Sequence, residues 1–391
     1  MSVQMQKLDR IRQLGPAHLI YPGAVHTRLD HSLGVFHATR LILLSLLSRA
    51  DRIPHSFTLS YEHMQALLAA AMLHDLGHFP YAHALKDCVS QKHEHLGAEI
   101  IAADDQIGTI IEQQLHSSVA LVCAILDDSS PCTDSETKFC RNVLSGTLDP
   151  DKLDYLSRDA LFCGIPYGSQ DASYIIRNLC IPEGTAQIGV PQEAIGSVEH
   201  LLFAKYSMYR NVYWHQGTRS ATAMIKKAVH YALAENLFTE KDLYHQDDQS
   251  FAQLFAQYPE SVSAQLFQAV RNNSLLALRA TLPLPADTHV TDQGNREVFE
   301  MELFQLLRKQ WGDLAPHEVI IDIPEDVSFE SDILVMTDRQ GVLPFHEVDE
   351  LFTAEVVRTF TESLRKIRVY TRGELSAETT QKIAERVLHH G

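Results

Sequence analysis

The stretch AMLHDLGHFPYAH, residues 71–83, places His74 and Asp75 side by side near the end of a helical pattern. Apolar residues recur three and four positions apart from Tyr61 to Leu76, which is the spacing of one helix face. Gly77 follows closely, where helices often end. A neighbouring imidazole and carboxylate suit a divalent metal, but histidines also occur at helix ends simply because they complement the helix dipole. The pair alone therefore does not establish a site.

Further imidazole and carboxylate groups lie in other helical patterns of the chain. They are His31 in YPGAVHTRLDHSLGV (21–35), His93 in KHEHLGAEI (92–100) and Asp151 in LDPDKLDYLSRDA (148–160). Together with His74 and Asp75, His31 and Asp151 make two imidazoles and two carboxylates, which are sufficient to hold a divalent metal in a helical bundle. Metal-assisted hydrolysis is therefore the first hypothesis.

The segment LDPDKLDYLSRDA has the signals of a helix start. Asp149 stands in the N-cap position and Pro150 in the first turn, so that Asp149 has a structural role. Asp151 is then the better metal ligand. Tyr155 and Asp159 follow it at four and eight positions and share its helix face.

The first two thirds of the 391 residues have helical periodicity, and 45% of the chain is hydrophobic. The sequence therefore predicts a mainly α protein with a helical core over residues 1–280. The helical patterns besides Tyr61–Leu76 cover Asp30–Ala50, Glu94–Asp104, Ser118–Leu126 and one long stretch, Val198–Leu237.

The pattern changes after residue 280. Residues 281–295 are rich in Pro, Thr, Asp and Gly and indicate a joint. Short strands and flanking helices then predict a small α+β lobe over residues 281–391, which need not be an independent domain. The predicted strands are Val319–Ile323, Asp332–Thr337 and Val342–Phe345, and the predicted helices are Met301–Gln310 and Thr353–Arg365.

Composition and charge exclude some classes of protein. The N-terminal residues are too polar for a signal peptide, and no apolar run approaches the ~18 residues of a membrane span. A formal charge of −17 argues against a surface for duplex DNA or an anionic membrane, whereas single-stranded DNA stays open. The six cysteines form no CxxC pair. We expect a cytoplasmic protein with reduced thiols, no membrane contact and a small phosphorylated substrate.

The motifs occur in the chain order of a known group. The sequence resembles the HD-domain phosphohydrolase superfamily, and within it the deoxynucleoside triphosphate triphosphohydrolases, the group of dGTPases and sterile-alpha-motif/HD-domain dNTPases. The resemblance runs from Gln13 to Asp159, is fainter over Val198–Lys227 and is weak in the C-terminal lobe. It implies an HD-domain helical bundle, a homo-oligomer, and hydrolysis of a nucleotide at its α-phosphorus to give deoxynucleoside and triphosphate.

The resemblance also implies the metal ligands, which would be His31, His74, Asp75 and Asp151. Such mixed nitrogen and oxygen ligands suit Mn, Fe, Co, Ni or Zn, whereas Mg prefers oxygen. The sequence leaves open which ion binds, and whether a second divalent ion such as Mg accompanies it.

The substrate contacts are implied by the resemblance in the same way. Arg28, Lys152 and Tyr155 would touch the triphosphate, and Asp159, Gln13, Leu14 and Tyr213 would surround the sugar. An apolar Leu beside the sugar would exclude a 2′-hydroxyl by leaving it neither room nor a partner.

The resemblance assigns catalysis to three histidines, His78, His83 and His93. His78 would help to neutralise charge, and either His83 or His93 would protonate the departing 5′-oxygen. Two positions depart from the group. Lys86 and Asp87 shift an expected aspartate by one residue, and Asp9 stands where nucleotide-regulated members have an arginine that reads guanine, which argues against activation by GTP.

The sequence leaves two alternative functions open. An HD enzyme with the same metal site could cleave a nucleoside monophosphate, a cyclic nucleotide or a single-stranded DNA end. A nucleotide sensor without catalysis could also keep the fold, although the intact ligand set favours an enzyme. The base preference stays open.

Overall fold

Helices make up the first two thirds of the chain in the computed structural model, which describes residues 2–129, 131–284, 289–327, 329 and 332–389. The helices are α1 (Val3–Leu8), α2 (Arg28–Ser48), α3 (Tyr61–Leu73), α4 (His93–Ala103), α5 (Asp105–Thr109), α6 (Val119–Leu126), α7 (Ser135–Ser145), α8 (Pro150–Cys163), α9 (Ala172–Asn178), α10 (Ile195–Met208), α11 (Gln216–Ala234), α12 (Glu240–Leu243), α13 (Asp248–Ala256) and α14 (Val262–Arg271). The predicted mainly α core is confirmed.

The central helices begin and end at residues that satisfy their free backbone groups. Thr27 and Asp30 form a capping box at the start of α2, and Ser60 caps α3. Asp149 accepts a hydrogen bond from the third residue of α8, which confirms its predicted capping role. The same helix ends at Gly164, whose φ of 68° lies in the left-handed region. Both α3 and α8 pack against α2.

The predicted long helix over Val198–Leu237 is wrong. The chain there forms α10, a π-helical turn (Tyr209–Tyr213) and α11. His215 starts the new helix, because its side chain accepts a hydrogen bond from the backbone of Gly217. The aromatic residues of the turn are spaced like a helix face, so that the break leaves little trace in the hydrophobic pattern.

The C-terminal part contains strands and helices that were only partly predicted. It has β2 (Ala277–Pro283), α15 (Gln293–Arg308), β3 (Ile320–Asp322), β4 (Leu334–Thr337), β5 (Gly341–Pro344), α16 (Phe345–Val348), α17 (Ala354–Leu364), β6 (Lys366–Thr371) and α18 (Ala377–His389), and β1 (Gly189–Pro191) precedes α10. The predicted strands correspond to β3, β4 and β5. Strands β1, β2 and β6 were not predicted from the sequence, and the predicted helix at Met301–Gln310 starts later than α15 does.

Two three-stranded sheets connect distant parts of the chain. In one, β1 pairs in parallel with β4, and β4 pairs with β5. In the other, β6 lies between β2 and β3 in an antiparallel arrangement. This second sheet packs with α15 and α18 around its own apolar core, which includes Leu303, Ile321 and Val369. Residue 280 lies inside β2, and the division into 1–280 and 281–391 stays a prediction.

Within the described residues, α2 has the length and composition of a membrane span, and so does the bent pair of segments 105–114 and 119–126. About 44% of the apolar stretch of α2 is buried inside the protein. Core helices of globular proteins have the same composition, and α2 contacts α3, α8 and α9.

Candidate active site

All the candidate site residues named from the sequence line a single cavity of about 800 Å³. The helical core supplies most of the wall. The C-terminal part closes the far side with the end of β3 and the residues that follow it, from Asp322 to Asp326, and with Arg365. The volume of the cavity is in the size range of small-molecule pockets.

Three of the predicted metal ligands meet on the wall of this cavity. One ligand atom from each of His31, His74 and Asp151 lies within 4.8 Å of the others. His31 Nε2 lies 2.7 Å from Asp151 Oδ1, and His74 Nε2 lies 3.8 Å from the same oxygen. Ligands bound to one ion at about 2.0–2.2 Å have separations of this size. The three side chains come from α2, the end of α3 and the first turn of α8.

The hydrogen bonds of His74 leave a free lone pair in the cluster. His74 Nδ1 lies 2.9 Å from the carbonyl oxygen of Ala71 and must donate to it. In the neutral ring, Nε2 then carries the lone pair, and this buried atom has no hydrogen-bond partner among the described residues. A buried acceptor without a donor is costly, and a metal ion would satisfy it. The residues therefore fit a divalent metal.

Asp75, the fourth predicted ligand, is not in that group of three. Its Oδ2 accepts a hydrogen bond of 2.9 Å from Arg28, and its Oδ1 lies 3.0 Å from His78 Nδ1 and 3.4 Å from His74 Nε2. Burial would raise the pKa of Asp75, but the nearby His78 and Arg28 hold it well below its usual value. Asp75 is thus a carboxylate at the edge of the cluster.

His31 is buried between two carboxylates. Its Nδ1 lies 2.8 Å from Asp154 Oδ2, on the opposite side of the ring from Asp151. Burial would lower the pKa of His31, but hydrogen bonds to Asp151 and Asp154 outweigh that effect and raise it to about 10. Without metal, His31 is therefore an imidazolium with a proton facing Asp151.

The three predicted catalytic histidines form a cluster beside the metal ligands. His78 Nε2 lies 3.2 Å from His83 Nε2, and the rings of His78 and His93 have centroids 3.9 Å apart. Burial, followed by Arg28, lowers the pKa of His78 well below its usual value. His83 is accessible to solvent, yet the surrounding protein and Arg28 lower its pKa as well. Neutral imidazoles face the cavity.

Gly77 allows the chain after α3 to lie directly on the start of α4. A Cβ at this position would stand 1.9 Å from the carbonyl oxygen of His93 and 2.6 Å from the nitrogen of Gly97. Such an approach is open only to glycine. It brings His93 next to His78, which follows Gly77 directly in the chain.

Lys7 holds the same turn from the other side. Its buried ammonium donates hydrogen bonds of 3.0 Å to the carbonyl oxygens of Leu76 and His78. Burial lowers the pKa of Lys7 to about 8. This lysine from α1 therefore helps to fix the backbone that presents Asp75 and His78.

Asp159, a predicted sugar contact, has a donor on each carboxylate oxygen. His26 Nε2 lies 2.8 Å from its Oδ1, and the Tyr213 hydroxyl donates to its Oδ2 over 2.7 Å. Burial, followed by the charge of Asp159, raises the pKa of Tyr213 well above its usual value. Gln13, also predicted at the sugar, has a buried Oε1 with no partner among the described residues. Leu14 lines the cavity beside it.

The predicted phosphate contacts are held at their positions by protein groups. Arg28 is buried and pairs with Asp75, but its Nε has no partner among the described residues. The Lys152 ammonium pairs with Asp149 and donates to the carbonyl oxygen of Gly146 over 3.0 Å. Tyr155 lies on the cavity face of α8, with its ring 6.2 Å from that of Tyr213.

The cavity wall has more basic than acidic side chains, although the chain is acidic. Several of these cations are paired with carboxylates, as Arg219 is with Asp322 and Lys226 with Asp87, so that the wall favours an anionic ligand through a small excess of positive charge. Besides Arg28 and Lys152, the basic residues of the wall are Arg12, Lys86, Lys205, Arg219, Lys226, Arg296 and Arg365.

Sequence reasoning missed several residues around this cavity. Asp154 could have been found, because it lies three residues after Asp151 on a predicted helix and four residues before Arg158. The contact of His26 with Asp159, and the position of Lys205 in the wall, depend on tertiary packing. The far wall beyond β3 has no sequence signal that we recognise.

Comparisons with known proteins assign two regions of the chain to known families. The family described as "HD domain" matches residues 28–127, and the family described as "HD associated region" matches residues 170–390. The uncharacterized protein YwfO of Bacillus subtilis is 31% identical over 229 residues, which cover 59% of this chain and 50% of that protein.

Two more distant proteins are informative. The deoxynucleoside triphosphate triphosphohydrolase SAMHD1 of Danio rerio is 24% identical over 255 residues, which cover 58% of this chain and 40% of that protein. The crystal structure of a phosphohydrolase from Bacteroides thetaiotaomicron has the same fold, with a TM-score of 0.70 at 20% identity over 94% of this chain and 93% of that one. The chain spans about half the length of the curated relatives it matches. It belongs to the HD-domain phosphohydrolase superfamily, and its second half is the HD-associated region.

Proposed function

We propose that this protein is a metal-dependent hydrolase of deoxynucleoside triphosphates, which attacks the α-phosphorus and releases deoxynucleoside and triphosphate. One observation carries the proposal. The group of His31, His74 and Asp151 shares a cavity with Arg28 and Lys152, so that a metal site and phosphate-binding cations face the same space. The named activity of the Danio rerio relative supports the substrate class.

The metal would be held by His31, His74 and Asp151, with Asp75 as the fourth ligand. A divalent ion in such a site supplies a water of lowered pKa and polarises a phosphoryl oxygen. The unpartnered Nε2 of His74 is the feature of this chain that most directly supports a bound divalent ion. Which ion binds is left to experiment.

The triphosphate would be neutralised by side chains that already line the cavity. Arg28 lines the cavity and its buried Nε has no partner among the described residues. Arg side chains bind phosphate oxygens well because their N–H groups form a planar fork. Lys152 would exchange its contact with Asp149 for a phosphate oxygen. Tyr155 would donate its hydroxyl from the same helix face. These contacts favour a substrate with several phosphates.

Protonation of the departing 5′-oxygen would fall to His83 or His93. Both line the cavity, and both have a pKa below the usual value in the ligand-free protein. A bound triphosphate brings negative charge next to these rings and thereby raises their pKa. Substrate binding would therefore protonate the histidine that transfers a proton to the leaving group.

Selection of deoxyribose would come from the pair of Asp159 and Tyr213 together with Leu14. His26 and Tyr213 hold both carboxylate oxygens of Asp159, so that it can accept only in fixed directions. A 2′-hydroxyl beside Leu14 would have no partner, and a buried unpaired hydroxyl is unfavourable.

The experiment incubates purified protein with separate dNTPs, NTPs, nucleoside monophosphates, cyclic nucleotides and a single-stranded oligonucleotide, each with Mn, Co, Fe, Ni or Mg, and separates the products by chromatography. Deoxynucleoside and triphosphate from a dNTP support the proposal. Cleavage of another phosphoester with intact dNTPs would overturn the substrate but leave the metal site. No cleavage of any substrate would overturn the proposed activity.

A variant with both His74→Ala and Asp75→Ala should lose all such activity. His95→Ala is the matched control, because His95 is about half exposed and pairs with Asp127 outside the cavity. Activity that survives in the double variant would contradict metal-assisted hydrolysis at this site.

A further inference from the structure

Asp154 and Arg158 form a partly buried link to the metal site that was not predicted from the sequence. Asp154 Oδ2 lies 2.8 Å from Nδ1 of His31. Arg158 grips the same carboxylate with two hydrogen bonds, from Nε to Oδ2 and from Nη2 to Oδ1, each 2.8 Å long. The three side chains therefore form a continuous chain that ends at a proposed metal ligand.

We propose that Asp154, oriented by Arg158, is the positioning residue that fixes the ring of His31 and sets the strength of metal binding. The proposal rests on the metal site proposed above. A carboxylate on Nδ1 fixes the proton there, leaves Nε2 as the coordinating atom, and makes the imidazole a stronger ligand. Such outer partners commonly change metal affinity by about 10–100-fold.

The fold leaves room for this link through a glycine. Gly34 lies on α2, three residues after His31, where α2 crosses α8. A Cβ at Gly34 would stand 1.9 Å from Asp154 Oδ1 and 2.4 Å from Arg158 Nη2. The pair of side chains therefore occupies the space that any other residue at position 34 would fill.

The pair is placed differently from an ordinary helix ion pair. Asp154 and Arg158 are four residues apart on α8, and exposed pairs of this kind contribute little to stability. Here the carboxylate is only 10% exposed, and it points at a histidine that is 2% exposed. Asp154 therefore joins the ion pair on α8 to a buried ring that is a proposed metal ligand.

The experiment measures the dissociation constant for Mn²⁺ by electron paramagnetic resonance, starting from metal-free full-length protein. Asp154→Asn keeps the size of the side chain but removes its charge and one acceptor for Arg158. We expect its dissociation constant to rise about 10–100-fold. Arg158→Gln should raise the dissociation constant by a smaller factor, because Asp154 then keeps its charge but loses the two hydrogen bonds that orient it.

Gly34→Ala should also raise the dissociation constant for Mn²⁺, because its methyl group on α2 displaces Asp154. Gly196→Ala is the control, because a Cβ there meets only the end of the Glu199 side chain, at 3.9 Å. Urea unfolding of each metal-free variant separates folding from metal binding. If Asp154→Asn fails to fold, Arg158→Gln decides.

Wild-type affinity for Mn²⁺ in folded Asp154→Asn and Arg158→Gln would overturn the proposal. A loss of stability in the metal-free variants without a change in affinity would overturn it too, since the pair would then serve the helix. If His74→Ala also bound Mn²⁺ like wild type, the metal site itself would be wrong. The two failures are thus distinguishable.

Discussion

His31 Nε2 and Asp151 Oδ1 lie 2.7 Å apart, and in the metal-free protein a proton occupies the line between them. The same two atoms are the proposed metal ligands. Metal and proton therefore compete for one position, and this competition makes metal binding depend on pH.

The first prediction concerns that proton. Because the pKa of His31 is raised to about 10 in the metal-free protein, His31 is protonated at pH 7.5 and must lose its proton to bind a metal. Calorimetric titration with Mn²⁺ in buffers of different ionisation enthalpy should show about one proton released per ion. The affinity should rise with pH up to about 10. Binding without proton release would contradict the pairing of His31 with Asp151.

The second prediction concerns recognition of the sugar. Tyr213→Phe removes the hydroxyl that donates to Asp159, which frees one carboxylate oxygen to accept a 2′-hydroxyl. The ratio of kcat/KM for a dNTP to that for the corresponding NTP should fall about tenfold, the effect of one lost hydrogen-bond partner. Tyr61→Phe is the control, since this tyrosine is 59% exposed. An unchanged ratio would place ribose selection elsewhere.

The third prediction concerns Lys7 and pH. Burial lowers the pKa of Lys7 from 10.5 to about 8, so that between these values the unfolded chain binds more protons than the folded one. The free energy of unfolding contributed by Lys7 therefore rises as the pH increases from about 8 to 10, by about 3 kcal/mol at most. Lys7→Met lacks this dependence.

Urea unfolding of wild type and Lys7→Met at pH 7.5, 9 and 10 gives the difference directly, because other titrating groups cancel between them. The difference should shift in favour of wild type with rising pH. A constant difference would mean that Lys7 keeps an ordinary pKa in the fold.

The fourth prediction concerns the contact between the turn after α3 and α4. Gly77→Ala puts a methyl group where the carbonyl oxygen of His93 lies, and should lower the free energy of unfolding by about 1–3 kcal/mol. Activity should fall further than stability accounts for, because His93 moves away from His78. Gly312→Ala is the matched control, since a Cβ there meets nothing within 4 Å. Equal stability of the two variants would contradict the close packing.

The parts of the site that could be predicted are those that have a local sequence signal. His74 and Asp75 end a periodic helix, and Asp149 caps α8 as its position in LDPDKLDYLSRD indicates. The resemblance to a known family over several motifs then predicted that these residues form one site. Nothing local tells that Tyr209–Tyr213 interrupts a helix, because its aromatic residues continue the apolar spacing.

Other features depend on partners far away in the chain. Strand β2 ends inside the stretch predicted as a joint, and it forms because β6 pairs with it about ninety residues later. Room for Asp154 comes from Gly34 on another helix. The homo-oligomer, the cytoplasmic location and the absence of GTP activation stay predictions.

The most direct test of the central claim is one reaction in ¹⁸O-labelled water. The protein is incubated with a dNTP and Mn²⁺, and the products are analysed by mass spectrometry. Attack at the α-phosphorus predicts unlabelled deoxynucleoside and triphosphate that carries one ¹⁸O. Label in the deoxynucleoside, or release of pyrophosphate or single phosphate instead of triphosphate, would contradict the proposed reaction.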